Sequence, residues 1–382
     1  MDDFQFNTLR RLVIKIGSAL LVDAQGKFDR SWLDQLAADI SDLHANDQEV
    51  LVVSSGAVAI GCNVLGLTRR GARLDELQAA AAAGQVQLVH AWQEALAKHG
   101  IGAAQVLLTP GDTENRRRFL NAKGTLQKLL ELNVVPVINE NDTVATDELR
   151  YGDNDRLAAR VAQMVMADGL VLLSDVDGLF SSDPHTNMNA EHIPFVSSIT
   201  DDIMAMAGTT GSALGSGGML TKLQAAKIAT HAGCITLVAS GTARRPLKSL
   251  AEGGKCTVFL ANGTPAAARK QWLAGMLEVS GKLRIDDGAA RALANGSSLL
   301  PVGLVEVSGN FRRGDVVALV NSAGTELGRG LAAYASDEAT EIIGCQSGQI
   351  EARLGYCGRS VLVHRDDFVL FTPAGSENAR GN

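Results

Sequence analysis

Short, nearly uninterrupted runs of Val, Ile and Leu recur through the first two-thirds of this 382-residue chain, and most are followed by a helical pattern. A strand that is apolar on both sides is covered on both faces, the usual condition of a parallel sheet. The runs are Arg11–Ile16, Glu49–Val53, Ala103–Leu108, Val134–Ile138, Leu170–Leu173, Ile235–Ala239 and Thr257–Leu260. Helices are expected at Trp32–Ala45, opened by a Ser31/Asp34 capping box, and at Leu74–His99, Arg116–Leu132, Arg156–Met166 and Met219–His231. This alternation predicts an α/β domain with an open, mostly parallel sheet sandwiched by helices. Ligands of such sheets bind beyond the carboxyl ends of the strands.

Near Asn262–Lys270 the pattern changes. From about Gly281 to Gly358, short strands alternate with tight turns at Ser308-Gly-Asn310, Arg313-Gly-Asp315 and Ser322-Ala-Gly324. That predicts a small C-terminal β-rich domain. The expected division is residues 1–265 for the α/β domain, 266–279 for a linker, 280–360 for the β-rich domain, and 361–382 for a last strand and a frayed tail.

Composition narrows the function classes. With 46% hydrophobic and 20% charged residues, disorder and coiled coil are excluded. A net charge of -7 and only 4% aromatics disfavour a nucleic-acid or anionic-membrane partner. Five scattered cysteines, with no CxxC pair, suit reduced thiols in the cytoplasm. An acidic start that turns straight into a strand gives no sign of a signal peptide, and no apolar run has membrane-helix length.

The polar punctuation falls at the strand ends. Val13-Ile-Lys-Ile-Gly-Ser18 sets Lys15 among apolar neighbours just before a glycine turn. Such a lysine is costly unless it faces an anion, although an edge-strand lysine with its head in water fits as well. Ser54-Ser-Gly-Ala57 joins a strand to a helix, which is a capped turn or an anion site. Pro136-Val-Ile-Asn-Glu-Asn-Asp142 and Gly152-Asp-Asn-Asp155 bring carboxylates and amides together, either as ordinary loop and N-cap residues or as a set suited to a ligand with both an ammonium and a carboxylate. Asp175-Val-Asp177-Gly lacks the remaining ligands of a calcium loop. Gly215-Ser-Gly-Gly-Met-Leu-Thr-Lys222 opens a helix with glycines and a lysine, which suits phosphates or a hinge. No P-loop, GxGxxG, HExxH or GxSxG occurs.

Together, in this order, these segments resemble the amino acid kinase family, most closely its glutamate-phosphorylating branch, over residues from about 9 to 262. The following region resembles a PUA domain through Asp286-Asp-Gly-Ala289, Gly296-Ser-Ser-Leu-Leu-Pro301 and Gly309-Asn-Phe-Arg-Arg-Gly314. The resemblance implies ATP-dependent phosphorylation of the side-chain carboxylate of L-glutamate, the first step towards proline. It implies Lys15, Lys222 and Asp155 as catalytic residues, with Asp155 holding the lysines. Ser55, Asp142 and Asn154 would bind glutamate. Lys15, Ser174, Asp175 and the run Ser216, Gly217, Gly218, Met219, Leu220, Thr221 and Lys222 would bind the nucleotide. Mg²⁺ is implied with ATP, held largely through phosphates and water, with no protein ligand named.

Further implications are inhibition by proline, a homodimer or homotetramer, and hand-over of product to glutamyl phosphate reductase. Ser174 and Ser216 stand where some relatives carry threonine, and Phe180 where many carry tyrosine; none of these changes removes a charge. Kinases of N-acetylglutamate, aspartate, carbamate or UMP in the same family are the competing enzyme reading. RNA binding by the PUA-like region is the competing reading of another class. Residues 275–370 hold 9 basic and 12 acidic side chains (9 − 12 = −3), which is not a basic footprint.

Overall fold

The computed structural model describes residues 4–22, 28–68, 70–144, 154–184, 186–207, 218–274, 279–356 and 358–371. The chain divides into two compact units, residues 1–265 and 266–382.

The first unit is built on strands β1 (Arg11–Ile16), β2 (Glu49–Ser54), β3 (Gly102–Leu108), β4 (Val134–Glu140) and β5 (Gly169–Ser174). A small hairpin of β6 (Leu179–Phe180) and β7 (His192–Ile193) follows, then β8 (Phe195–Val196), β9 (Ile235–Ser240) and β10 (Cys256–Phe259). The main sheet runs β3-β4-β2-β1-β5-β9-β10-β8. Its pairs are parallel except β9 with β10. That single antiparallel pair explains why the 257–260 run reads like the others: burial on both faces erases the alternation that would reveal strand direction. Chain order reverses at β1, which has β2 on one side and β5 on the other. Ligands of open sheets bind at such a switch point.

Alternate residues of the strands feed two cores. Leu12, Ile14 and Ile16 pack on one face with Trp32, Leu36 and Ile40 of α1 (Arg30–Ala45), and with Leu88, Trp92 and Leu96. Val13, Leu51 and Leu172 pack on the other face with Leu157, Ala158 and Val161, and with Leu223 and Ala226. Lys15 alternates with Ile14 and Ile16 and so belongs to the second face. The cap of α1 differs from the expected capping box. Asp29 is the N-cap, its carboxylate accepting from the Trp32 N–H at 2.9 Å, and the helix starts at Arg30. An acidic side chain one position before the helix thus satisfies the end that Ser31 would have capped.

Helices α2 (Ala57–Leu65) and α3 (Leu74–Ala97) meet backbone to backbone. A Cβ on Gly61 would lie 1.6 Å from the Ala80 carbonyl oxygen, and one on Gly84 would lie 1.9 Å from that of Ala57. Only glycine fits either position. Gly84→Ala should therefore destabilise the protein by about 3 kcal/mol in urea unfolding, the scale of overpacking. The gain in helix propensity, about 1 kcal/mol, offsets only part of that. A variant as stable as the parent would show that the helices can part without penalty.

The second unit holds β11 (Gly281–Ile285), β12 (Leu304–Gly309), β13 (Val316–Val320), β14 (Glu326–Leu331) and β15 (Phe368–Leu370), in the order β12-β11-β13-β14-β15. Pairing is antiparallel except between β11 and β13. Gly309, Gly314 and Gly324, at the three anticipated turns, all have positive φ. A helix over Asp287–Ala294, capped by Asp286 through the Ala289 N–H at 2.7 Å, was not legible as such in the Asp-Asp-Gly run. Cys62, Cys234, Cys256 and Cys345 are free thiols. Among the described residues no helix is long and apolar enough to cross a membrane.

Candidate active site

Each carboxyl end near the switch point contributes polar groups. β1 carries Lys15, β2 runs into Ser54 and Ser55, β4 ends in Asn139 and Glu140, and β5 ends at Ser174. Two further helices aim their first turns at the same edge: α5 (Asn154–Val165), after α4 (Arg116–Glu131), and α6 (Met219–His231).

The charged centre joins three of these elements. Lys15 Nζ lies 2.5 Å from Asp155 Oδ1, and Lys222 Nζ lies 3.2 Å from Asp155 Oδ2. Asp155 is 0% exposed and the lysine side chains 4% each, so one buried carboxylate serves two buried ammonium groups. β1 is a central strand, with Lys15 in register between Val53 and Leu172, which rules out the edge-strand alternative. Ion pairs this deep lose much solvation and repay it only when every partner is in place. The three side chains together carry one net positive charge, which suits an anion at the strand ends.

The N-terminus of α6 adds to this. Gly218 is its N-cap, in extended conformation and without a capping side chain. Met219 and Leu220 follow in the first turn. Thr221 Oγ1 lies 2.7 Å from the Gly218 carbonyl oxygen and 3.1 Å from Asp155 Oδ2. A 13-residue helix without a capping side chain at its start and with a lysine in its first turns can bind phosphate oxygens by dipole, amide and charge. Ser216 and Gly217 lie outside the described residues, as do Gly152 and Asp153. On the β5 side, Ser174 Oγ donates to Asp175 Oδ1 at 2.9 Å, with Ser174 buried and Asp175 exposed.

Beside the charged centre lies a cradle of amides. Asn154 Nδ2 donates to Ser55 Oγ at 2.9 Å and to Asn139 Oδ1 at 2.8 Å, and lies 3.2 Å from the Ser54 carbonyl oxygen. Gly56, with φ +109, makes the left-handed turn that carries Ser55 into α2. Asp142 sits half-buried in the turn directly after β4. The fold thus brings Lys15, Asp155, Lys222, Ser55 and Asn154 to one edge of the sheet, with Asp142 at the neighbouring strand end. Among the described residues no group of three or more His, Cys, Asp or Glu side chains is arranged to hold a metal ion.

Two contributors were not picked out from the sequence. Gln85 and Trp92, both on α3, bond to Asn139 and to Ser54 Oγ, the latter at 3.2 Å. Within an Ala-rich helix their one signal was the internal Gly84, which marks a close approach rather than a site.

Comparison with known proteins agrees with this geometry. Residues 10–239 match the Amino acid kinase family and residues 281–354 match the PUA domain. The chain is 58% identical over 362 residues to a glutamate 5-kinase of Paramagnetospirillum magneticum, spanning 94% of this chain and 98% of that protein. It is 55% identical over 367 residues to glutamate 5-kinase 1 of Rhizobium meliloti, spanning 96% and 93%. A glutamate 5-kinase of Sinorhizobium fredii is 53% identical over 372 residues, spanning 97% and 95%. The chain belongs to the amino acid kinase family, among the glutamate 5-kinases, and carries a PUA domain behind its kinase domain.

Proposed function

We propose that this protein transfers the γ-phosphoryl group of ATP to the side-chain carboxylate of L-glutamate, giving ADP and L-glutamyl 5-phosphate, the first step from glutamate to proline. The observation that carries this reading is the buried Lys15–Asp155–Lys222 centre set against an amide cradle at the switch point. A carboxylate with a pKa of about 4.3 is already ionised at neutral pH, so the acceptor needs no general base. The barrier is the approach of one anion to another, and catalysis is positioning plus charge neutralisation.

Lys15 and Lys222 flank the phosphoryl group, and Asp155 holds both ammonium groups at fixed separation. The N–H groups of α6, with Ser216, Gly217 and Gly218 ahead of them, wrap the nucleotide phosphates. Ser174 and Asp175 touch the nucleoside side. Ser55, Asn154 and Asp142 bind glutamate, with the Asp142 carboxylate on the α-ammonium. The positive centre and the start of α6 fit a polyphosphate; Mg²⁺ accompanying ATP would be held by the nucleotide rather than by a protein carboxylate cluster and would supply further neutralisation. Proline, which shares the α-carboxylate and a cationic amine with glutamate, is the expected inhibitor at or near this site. A cytoplasmic homo-oligomer passing its labile acyl phosphate to glutamyl phosphate reductase completes the proposal.

Asp142→Ala tests where the amino acid sits. Loss of a hydrogen bond to a charged group, about 1.5–3 kcal/mol, should raise KM for glutamate about 10–100-fold. KM for ATP should stay within about twofold. Equal rises in both constants would remove Asp142 from the acceptor site.

A further inference from the structure

The charged centre is built from side chains of β1, α5 and α6, while Gln85 of α3 reaches the floor of the amide cradle. The direction of every amide there is fixed from one end. The Glu140 N–H donates to Asn139 Oδ1 at 2.9 Å, which settles that edge of Asn139 as the acceptor. Asn154 must then turn its Nδ2 towards Asn139, at 2.8 Å, and its own Oδ1 away. Ser55 Oγ, accepting from the same Nδ2, keeps its proton for another partner. On the opposite edge, Asn139 Nδ2 donates to Gln85 Oε1 at 2.8 Å.

Gln85 holds this place at a cost. Its side chain is only 8% exposed, and its buried Nε2 has no hydrogen-bond partner among the described residues. An unsatisfied buried donor costs about 1–3 kcal/mol, which a methionine of similar length avoids. Its position is rigid as well, because the preceding Gly84 is pressed against Ala57 at the start of the helix that Ser55 introduces.

We propose that Gln85 is a positioning residue for the acceptor amino acid. Its Oε1 locks Asn139, and Asn139 holds the outward carbonyl of Asn154 ready for the α-ammonium. The ammonium, with three donors, then meets both the Asn154 carbonyl and the Asp142 carboxylate. This inference rests on the glutamate reading above and adds a determinant of selectivity for a free α-amino group.

The test is Gln85→Met and Gln85→Glu in the full-length protein. Gln85→Met should raise KM for glutamate about tenfold, with kcat and KM for ATP within about twofold. Glutarate, the same diacid without an ammonium, should compete almost as well as before, so that the preference for glutamate over glutarate falls about tenfold. Gln85→Glu keeps an oxygen facing Asn139 and should return KM for glutamate to within about threefold of the parent. The rise in melting temperature on adding glutamate gives a second readout that needs no turnover, and should shrink only for Gln85→Met. An unchanged glutamate KM in Gln85→Met, a parallel rise in KM for ATP, or no recovery in Gln85→Glu would each overturn the proposal. If the parent protein fails to phosphorylate glutamate, the reading of the function falls and takes this one with it.

Discussion

Replacing Lys222 with alanine is expected to lower kcat about 10²–10³-fold, the loss seen when one preorganised charge stabiliser is removed from a transition state. The KM values for ATP and glutamate should move far less. Lys222 sits buried in the first turns of α6 with its ammonium 3.2 Å from Asp155. A cation held there acts most strongly on charge that develops during transfer, because it needs no reorganisation at the moment of reaction. Lys222→Arg should recover little, since a planar guanidinium cannot reproduce a point charge in a site packed for an ammonium. Near-normal turnover in Lys222→Ala would remove the lysine from the reaction.

Asp155→Ala should affect both stability and turnover. It leaves the two ammonium groups of Lys15 and Lys222 buried without the carboxylate that lies between them. Removing one partner from a buried pair costs about 3–5 kcal/mol. For a domain of this size that is a fall in melting temperature of about 6–20 °C. Turnover should drop with it, since the lysines lose their fixed spacing. The double variant Lys15→Met/Asp155→Ala carries one buried cation fewer and should be more stable than Asp155→Ala alone, a coupling typical of groups in contact. An additive loss in the double variant would mean that Asp155 does not hold Lys15.

How much of this could be read from the sequence depends on the range of the interaction. The central strands were legible because covering both faces leaves nearly unbroken apolar runs, and Lys15 stood out as a charge set inside such a run rather than at its start, where Arg11 and Glu49 lie. The chemistry of the strand-end segments was legible because small and polar residues there have few structural reasons to cluster. The pairing of Asp155 with Lys222 was not legible from spacing: 67 positions separate them, and only the packing of α5 and α6 on one sheet face brings them together. Family resemblance supplied that link. The cap of α1 was misjudged because Ser31 and Asp29 both offer capping oxygens, and the backbone selects between them. Gln85 was invisible for a different reason. Its role depends on the direction of three amides, set by the single backbone N–H of Glu140, and no local pattern encodes that.

Acyl phosphate formation, trapped as the hydroxamate, tests the central claim most directly. The purified protein should yield hydroxamate only when ATP and L-glutamate are both present, N-acetylglutamate and aspartate should not replace glutamate, and carbamate and UMP, followed by ADP release, should give none. Added proline should reduce the signal, and Lys222→Ala should lower it about 10²–10³-fold. Hydroxamate from N-acetylglutamate in place of glutamate, ADP release driven by UMP, or no product from ATP and glutamate together, would contradict the account.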